Sequence, residues 1–333
     1  MNQTIRTCAL VGKFQDARVF ECAQPLVAAL TERHLTVLAL ADASASLPAA
    51  VELTSAAQLV ERSDLIIAIG GDGTLLYAAG LLAEHSGGRE DAGGRDDAGG
   101  GAGEGAGGGA RSRAGAPQRA AREVPLLGIN RGRLGFLTDV LPQDMVRSVD
   151  AVLSGECTQD RRALLQARLV APDGSDVRHH ALNDVVFTRL DTGRMLDFET
   201  HIDGRYVNSH GGDGLVVASS TGSTAYALSC GGPIVDPRLA VLVVAPICPH
   251  TLSDRPIIVP GTSAVDIRLI GHHETVAQVT CDASVLGQLR PGGRLEISPS
   301  ERAITLLHLP GYDYFRLLRS KLHWGLGGLS HER

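Results

Sequence analysis

No apolar run in this 333-residue chain comes near the roughly 20 residues needed to cross a bilayer; stretches such as Leu65 to Ile69 and Ala240 to Ala245 have the length of strands. A helical membrane protein is excluded by that shortage. Nor does the N-terminus, MNQTIRTCALVGKF, carry a long h-region or a small-residue cleavage site, so the expected compartment is the cytoplasm. The six cysteines (Cys8, Cys22, Cys157, Cys230, Cys248, Cys281) contain no CxxC pair, which predicts reduced, mostly buried thiols rather than disulfides or zinc ligands. The pairs His179-His180 and His272-His273 lack the i, i+4 spacing of a helical metal site and are expected on surface loops. Net charge is −6, and no basic stripe is present to follow a phosphate backbone, which excludes nucleic acid as the main partner. A small molecule is the expected partner.

What is present is enough apolar residue, 44% of the chain, to fill about two ordinary domains. Ile5 to Val11 reads as a buried strand, Phe20 to Leu30 as a helix and Leu35 to Leu40 as a second strand, a β-α-β opening. A helix around Ala56 to Arg62 precedes Leu65 to Ile69, whose unbroken apolar run predicts a parallel strand covered on both faces. A helix over Leu75 to His85 and a strand over Val124 to Ile129 follow. Between them, residues 86–120 hold thirteen glycines and not one large apolar side chain. Such a stretch cannot offset its ordering entropy and is expected to be a disordered insertion, either tolerated at the surface or regulatory. We expect an α/β domain over residues 1–155. After it come short apolar or β-branched segments every ten or so residues: Leu164 to Val170, Ala181 to Thr188, Phe198 to Ile202, Gly214 to Ala218, Val241 to Ala245, Ser263 to Leu269, Val276 to Cys281, Arg294 to Ser298 and Ala303 to Leu307. This spacing predicts a β-rich domain over residues 156–308. Tyr312 to Trp324 has helical spacing, and residues 309–333 are expected to pack back on the first domain.

Gly70-Gly71-Asp72-Gly73-Thr74 directly follows the Leu65 to Ile69 strand and precedes a helix. Ligands of open α/β sheets bind there, and glycines let backbone N–H groups reach phosphate oxygens. A carboxylate repels phosphate, so Asp72 has other work: holding a divalent cation, accepting a proton from an attacking hydroxyl, or capping the helix. No GxxxxGK[ST] occurs, and the turn after the first strand, Val11 to Phe14, lacks GxGxxG, so neither a P-loop nor an ordinary dinucleotide turn supplies the cradle. Downstream, Asp213-Gly214 leads through a strand to Ser219-Ser220-Thr221-Gly222-Ser223-Thr224-Ala225-Tyr226. Its six hydroxyls suit recognition of a base or ribose, or make a solvated turn. Asn183-Asp184, set between apolar residues, offers an amide and a carboxylate to two sugar hydroxyls, or marks a turn.

Together these blocks resemble the NAD kinase family. GGDG alone occurs also in diacylglycerol and sphingosine kinases and, in related form, in 6-phosphofructokinases. The blocks that separate NAD kinases are GINRGRLGFLTD (Gly128 to Asp139), LNDVV (Leu182 to Val186), DGLVV with TGSTAY (Asp213 to Tyr226), GGPI (Gly231 to Ile234) and PHTLSDRP (Pro249 to Pro256). The resemblance implies a Rossmann-like α/β N-terminal domain of the GGDG kinase superfamily, a β-rich, sandwich-like C-terminal domain, and a nucleotide site between them. It implies phosphoryl transfer from ATP to the 2′-hydroxyl of the adenosine ribose of NAD, with Mg²⁺ accompanying ATP and no protein metal ligand assigned. Homo-oligomers, dimer or tetramer, are usual for such a family. By the same resemblance Asp72 is the general base, Gly71 and Gly73 line the phosphate region, Asn183 and Asp184 bind substrate, and Thr224, Ala225, Tyr226 and Ser229 bind it near the adenosine half. Asp213 contacts the nicotinamide half from its own or a neighbouring subunit. The sequence departs from the pattern where Asn-Glu becomes Asn183-Asp184 and Ser-Thr-Pro becomes Ala218-Ser219-Ser220. The rival readings are a lipid kinase of the same superfamily and a non-catalytic NAD(P) sensor.

Overall fold

A computed structural model describes residues 4–43, 47–86, 123–132, 134–190, 195–271 and 275–323. All but Ser86 of the expected insertion lies outside the described residues, as do His272, His273 and Trp324.

The first half of the chain forms β1 (Thr7–Gly12), α1 (Ala17–Glu32), β2 (Thr36–Leu40), β3 (Val51–Thr54), α2 (Ala56–Arg62), β4 (Leu65–Ile69), α3 (Asp72–His85), β5 (Leu126–Ile129) and α4 (Met145–Leu153). Its five strands are parallel, in the order β3-β2-β1-β4-β5. Side chains alternate across a strand, so Leu65, Ile67 and Ile69 pack with α1 and α4 while Ile66 and Ala68 pack with α2 and α3. That double cover is why β4 contains no polar position. Neither β3, only four residues long, nor α4 stood out in the sequence. Strand order reverses direction between β1 and β4, and at such a switch point the loops diverge and leave a crevice at the carboxyl ends.

The second half adds β6 (Thr158–Val170), β7 (Asp176–Ala181), β8 (Asp184–Arg189), β9 (Leu196–Ile202), β10 (Arg205–Gly212), β11 (Gly214–Ser219), α5 (Tyr226–Ser229), β12 (Val241–Ile247), β13 (Ile257–Pro260), β14 (Val265–Ile270), β15 (Ala277–Cys281), β16 (Ser284–Leu289), β17 (Arg294–His308) and α6 (Tyr314–Leu322). One sheet runs β13-β12-β11-β8-β15-β16. Opposite it lie β10-β9-β14-β17 with β6 and β7, and Phe187, Phe198, Val217, Val244, Ile267 and Leu295 fill the space between. The sandwich-like reading is therefore correct, but the two halves do not have separate sheets. β17 pairs with β6 at both ends of its length, with β14 through its first part only, and lies parallel to β5 at Leu306, joining everything from β3 to β10 in one sheet.

Three local expectations are corrected. Ala181 to Thr188 reads as one apolar run but is two strands in different sheets, broken at Leu182-Asn183. Arg294 to Ser298 and Ala303 to Leu307 are one strand whose register shifts between Pro299 and Ala303. His179 and His180 lie in β7, not in a loop. Of the cysteines, all free, Cys8, Cys22 and Cys281 are buried, Cys157 and Cys230 half-buried, and Cys248 exposed, so burial covers half of them rather than most.

Candidate active site

The carboxyl ends of β1, β2 and β4 open into a cleft of about 570 Å³ lined by Gly12, Lys13, Asp42, Gly70, Gly71, Gly73, Thr74, Tyr77 and Arg131, among others. Gly71 caps α3 without a side-chain hydrogen bond. The first N–H groups of α3 are thus not taken by a cap, and with the helix dipole they favour an anion. A Cβ on Gly71 or Gly73 would meet nothing within 4 Å, so these glycines keep the floor open, whereas one on Gly70 would strike Thr74. Lys13 and Arg131 supply the positive charge, and Arg131 is held by Asp16 at 2.5 Å. This arrangement suits a polyphosphate.

Asp72 does not face that cleft, nor does it cap the helix. It is the first residue of α3, and its carboxylate reaches the other way, to the loop after β5. Oδ1 accepts from the Leu137 and Thr138 N–H groups (3.0 and 3.2 Å) and from the Thr138 hydroxyl (3.1 Å), while Oδ2, among the described residues, accepts only from the Phe136 N–H (2.8 Å). A Cβ on Gly135 would lie 1.8 Å from Asp72 Oδ1, which explains the glycine in this loop. Asp72 therefore fastens the GFLTD loop to the helix, and the half-buried Oδ2 keeps a free lone pair.

The hydroxyl-rich segment divides by burial. Ser219, Ser220, Thr221 and Ser223 are buried. Ser219 donates to the Leu182 carbonyl, Ser220 to Leu239 and Ser223 to Ser220, so these three hold the backbone. Thr224 and Ala225 are half-buried while Tyr226 and Ser229 are exposed, leaving these four sequence-predicted residues accessible. The segment sits tightly against Asn183: a Cβ on Gly222 would lie 2.1 Å from the Asn183 carbonyl oxygen.

Asp184, 6% exposed, accepts the Tyr226 N–H. Burial, with the charge of Asp282 added, pushes its carboxyl up to about 7. Asp213 is half-buried and paired with Arg189 at 2.9 Å, within electrostatic reach of the Tyr226 hydroxyl. Asp184 and Asp213 thus meet Tyr226, with Asn183 against the turn that leads to it, and Thr224, Ala225 and Ser229 flank Tyr226 along that turn and α5, while Gly71 and Gly73 line the other cleft with Asp72 turned away from it.

Sequence reasoning missed several residues. Asp282 accepts the N–H groups of Leu182, Asn183 and Asp184 at 2.6, 2.8 and 3.2 Å, fixing the break between β7 and β8. Its only outward signal is a two-residue hairpin in which Asp282 and Ala283 both have positive φ. Lys13 and Arg131 were legible only as cations after strands. Arg162 and His308 gave no signal at all.

The comparisons with known proteins decide the family. The chain is 37% identical over 326 residues to the NAD kinase of Nitrosococcus oceani, covering 98% of this chain and 99% of that protein. The chain belongs to the NAD kinase family. An NAD kinase of Pseudomonas putida is likewise 37% identical over 329 residues, covering 98% and 99%. Residues 182–309 match the profile of the ATP-NAD kinase C-terminal domain. The fold is that of yeast NADH kinase complexed with NADH, with a TM-score of 0.82 at 20% identity over 100% of this chain and 91% of that one. An Archaeoglobus fulgidus NAD kinase in complex with ATP has a TM-score of 0.66 at 23% identity, covering 95% and 98%. Within this NAD kinase, the cleft over Gly70–Thr74 and the group around Tyr226 are the two candidate substrate-binding regions.

Proposed function

We infer that the chain is a phosphotransferase that moves the terminal phosphoryl group of ATP to the 2′-hydroxyl of the adenosine ribose of NAD. One observation carries the assignment of parts: Asp72 stands at the N-terminus of α3, beside the glycine-lined cleft, yet its carboxylate turns away from that cleft. A carboxylate so placed avoids the donor's charge and offers Oδ2 to a hydroxyl arriving from the other side. Asp72 is then the general base, accepting the ribose proton as the oxygen bonds to the γ-phosphorus and the bond from that phosphorus to the departing ADP breaks. Gly71, Gly73, Lys13 and Arg131 hold the donor phosphates; Asn183, Asp184, Thr224, Ala225, Tyr226 and Ser229 hold the adenosine half and Asp213 the nicotinamide half.

Mg²⁺ is expected with ATP. Among the described residues no group of three or more His, Cys, Asp or Glu is placed to hold a metal; Mg²⁺ commonly takes one or two carboxylates together with substrate phosphates. Asp42 is the carboxylate in the cleft that would meet it. When bound, it supplies charge neutralisation on the donor oxygens.

Exposed apolar residues on two outer strands of the β-rich half, Tyr206 and Val207 on β10 and Ile257 and Ile258 on β13, support a homo-oligomer. Among the described residues no helix is long and apolar enough to span a membrane, and the free thiols fit the cytoplasm. No feature favours a lipid kinase or a sensor. The deciding assay is NADP formation from NAD, ATP and Mg²⁺, read through an NADP-specific dehydrogenase, with Asp72→Asn as control; well-folded wild type that forms no NADP refutes the reading.

Two further outcomes follow. Replacing Lys13 and Arg131 together by Met removes two charge-assisted hydrogen bonds, each worth about 1.5–3 kcal/mol. Steady-state kinetics should show the KM for ATP rising at least tenfold and the KM for NAD unmoved; equal rises in both would reject the assignment of the cleft. Asp184 gives a pH signature. A folded pKa of about 7 against an unfolded value of about 3.9 means that the native state binds more protons between them. Stability should therefore fall as pH rises through that window. Asp184→Asn mimics the protonated acid and still accepts the Tyr226 N–H, so melting scans should find it flatter across the window and more stable than wild type above about pH 7.

A further inference from the structure

The two candidate substrate regions are joined by buried polar groups that neither region uses directly. Thr138, bound by Asp72, is followed by Asp139, whose Oδ2 lies 2.8 Å from His308 Nδ1. His308 Nε2 lies 3.3 Å from Asp160 Oδ2, which accepts from Arg162 Nη2 at 2.5 Å. Arg162 Nη1 donates to the Thr221 hydroxyl at 3.2 Å, at the start of the turn that presents Thr224 to Tyr226. His308 and Arg162 are 2% and 3% exposed. Asp160 and Arg162 share one face of β6, and His308 ends the neighbouring β17, so the longest antiparallel pair of the fold carries the chain.

Unpaired buried charges are costly, and a charged network this deep needs a reason to persist. Its charges balance only with the imidazole protonated: Asp139 and Asp160 against His308 and Arg162. Geometry fits the same state, because each ring nitrogen lies within hydrogen-bond distance of a carboxylate oxygen and a doubly protonated ring donates to both. Burial alone would disfavour the imidazolium, but the hydrogen bonds and charges of Asp139 and Asp160 outweigh it and raise the His308 pKa. Asp160 is half-buried, yet His308 and Arg162 hold it well below the usual carboxylate range. Tyr312 completes the surroundings, stacked on the imidazole at 3.8 Å between centroids. Asp236 and Tyr314 are the further titratable groups within reach of Arg162.

We propose that Asp139, His308, Asp160 and Arg162 form a positioning relay that fixes the Asp72-bound loop relative to the Thr221 turn, so that acceptor and donor are held in register and bind cooperatively. His308 touches neither substrate; it is a positioning residue, and the relay holds only while it carries its proton. The proposal rests on the kinase reading for what the two regions bind. Misplacement of reactants by about 1 Å can cost up to about 100-fold in rate, which sets the scale of the effect.

The test uses the full chain. Calorimetry measures NAD affinity with and without a non-hydrolysable ATP analogue, a coupling that linkage makes reciprocal. Wild type should bind NAD more tightly when the analogue is present, and His308→Gln, which retains one donor but no charge, should lose that gain while binding each ligand alone as before. In turnover, kcat should fall about 10- to 100-fold with both KM values near wild type. A raised His pKa contributes stability that is complete below the unfolded value of about 6.5 and lost as pH rises through the folded one. Wild-type kcat and melting temperature should therefore decline on the alkaline side, and the variant should lack that decline. If His308→Gln does not fold, Arg162→Lys keeps the charge but only one of the two contacts, and the same loss of coupling is expected of it. Retained coupling and an unchanged alkaline limb in a folded variant would overturn the relay. Absence of NADP formation by wild type would instead overturn the kinase reading, with the binding coupling still deciding the relay.

Discussion

Asp72→Asn is expected to lower turnover by about 10²- to 10⁴-fold, the range that a positioned general base contributes, while NAD binding survives. The side chain has two tasks, and the substitution separates them. As a base it loses its proton affinity altogether. As a fastener it keeps one carbonyl oxygen, which can accept on the Oδ1 side from Leu137, Thr138 and the Thr138 hydroxyl, but the new amide must then face the Phe136 N–H, a donor against a donor. One lost hydrogen bond to a charged acceptor is worth about 1.5–3 kcal/mol, so a modest fall in melting temperature accompanies the rate loss. The control is Asp72→Ala, which removes the fastening completely: it should unfold earlier than Asp72→Asn yet be no slower once corrected for folded fraction. Rate loss that tracked melting temperature across the two variants would mean that Asp72 is structural only.

Gly222→Ala should damage the other region as severely. The added Cβ would lie 2.1 Å from the Asn183 oxygen and within 3 Å of its carbonyl carbon and Cα, all backbone atoms that cannot rotate away. The Asn183 carbonyl is itself engaged by the Ser219 N–H, and the Asn183 N–H by Asp282, so the strain spreads to both sides of the break between β7 and β8. Overpacking of this kind costs about 1–3 kcal/mol, and about 1.4 kcal/mol of it appearing in binding raises a KM tenfold. We expect the KM for NAD to rise by at least that factor and the KM for ATP to stay put, because the phosphate cleft shares no residue with this turn. Kinetics with each substrate varied in turn check it, and an ATP effect equal to the NAD effect would contradict the division of the site.

Local chemistry was legible from the sequence and long-range pairing was not. The apolar run before Gly70 announced a covered strand, and the glycines behind it announced close approach, because both signals sit within ten residues. Where Asp72 points is another matter: its partners are 64 to 66 positions away. The break at Leu182-Asn183 was hidden because its flanks are equally apolar and only the donors bound by Asp282, about 100 residues on, reveal it. Asp160 and His308 stand 148 positions apart, each an ordinary polar residue next to a strand pattern. β17 likewise read as two strands, since Pro299 and the charged pair Glu301-Arg302 interrupt its periodicity, whereas its pairing with β6 resumes beyond them.

That last strand also has a history in time. During synthesis β1 to β5 can assemble as soon as residue 129 has emerged, but β5 then has one partner and a bare edge, because the second is supplied by residues near 306. Roughly half the chain must still be made before that edge is closed, and unpaired edges of buried apolar strands are where nascent chains stick to one another. The enzyme must therefore pass through a half-finished state whose exposed flank is the future junction of its two halves. The ordering of the chain, not its final stability, sets how long that edge stays open.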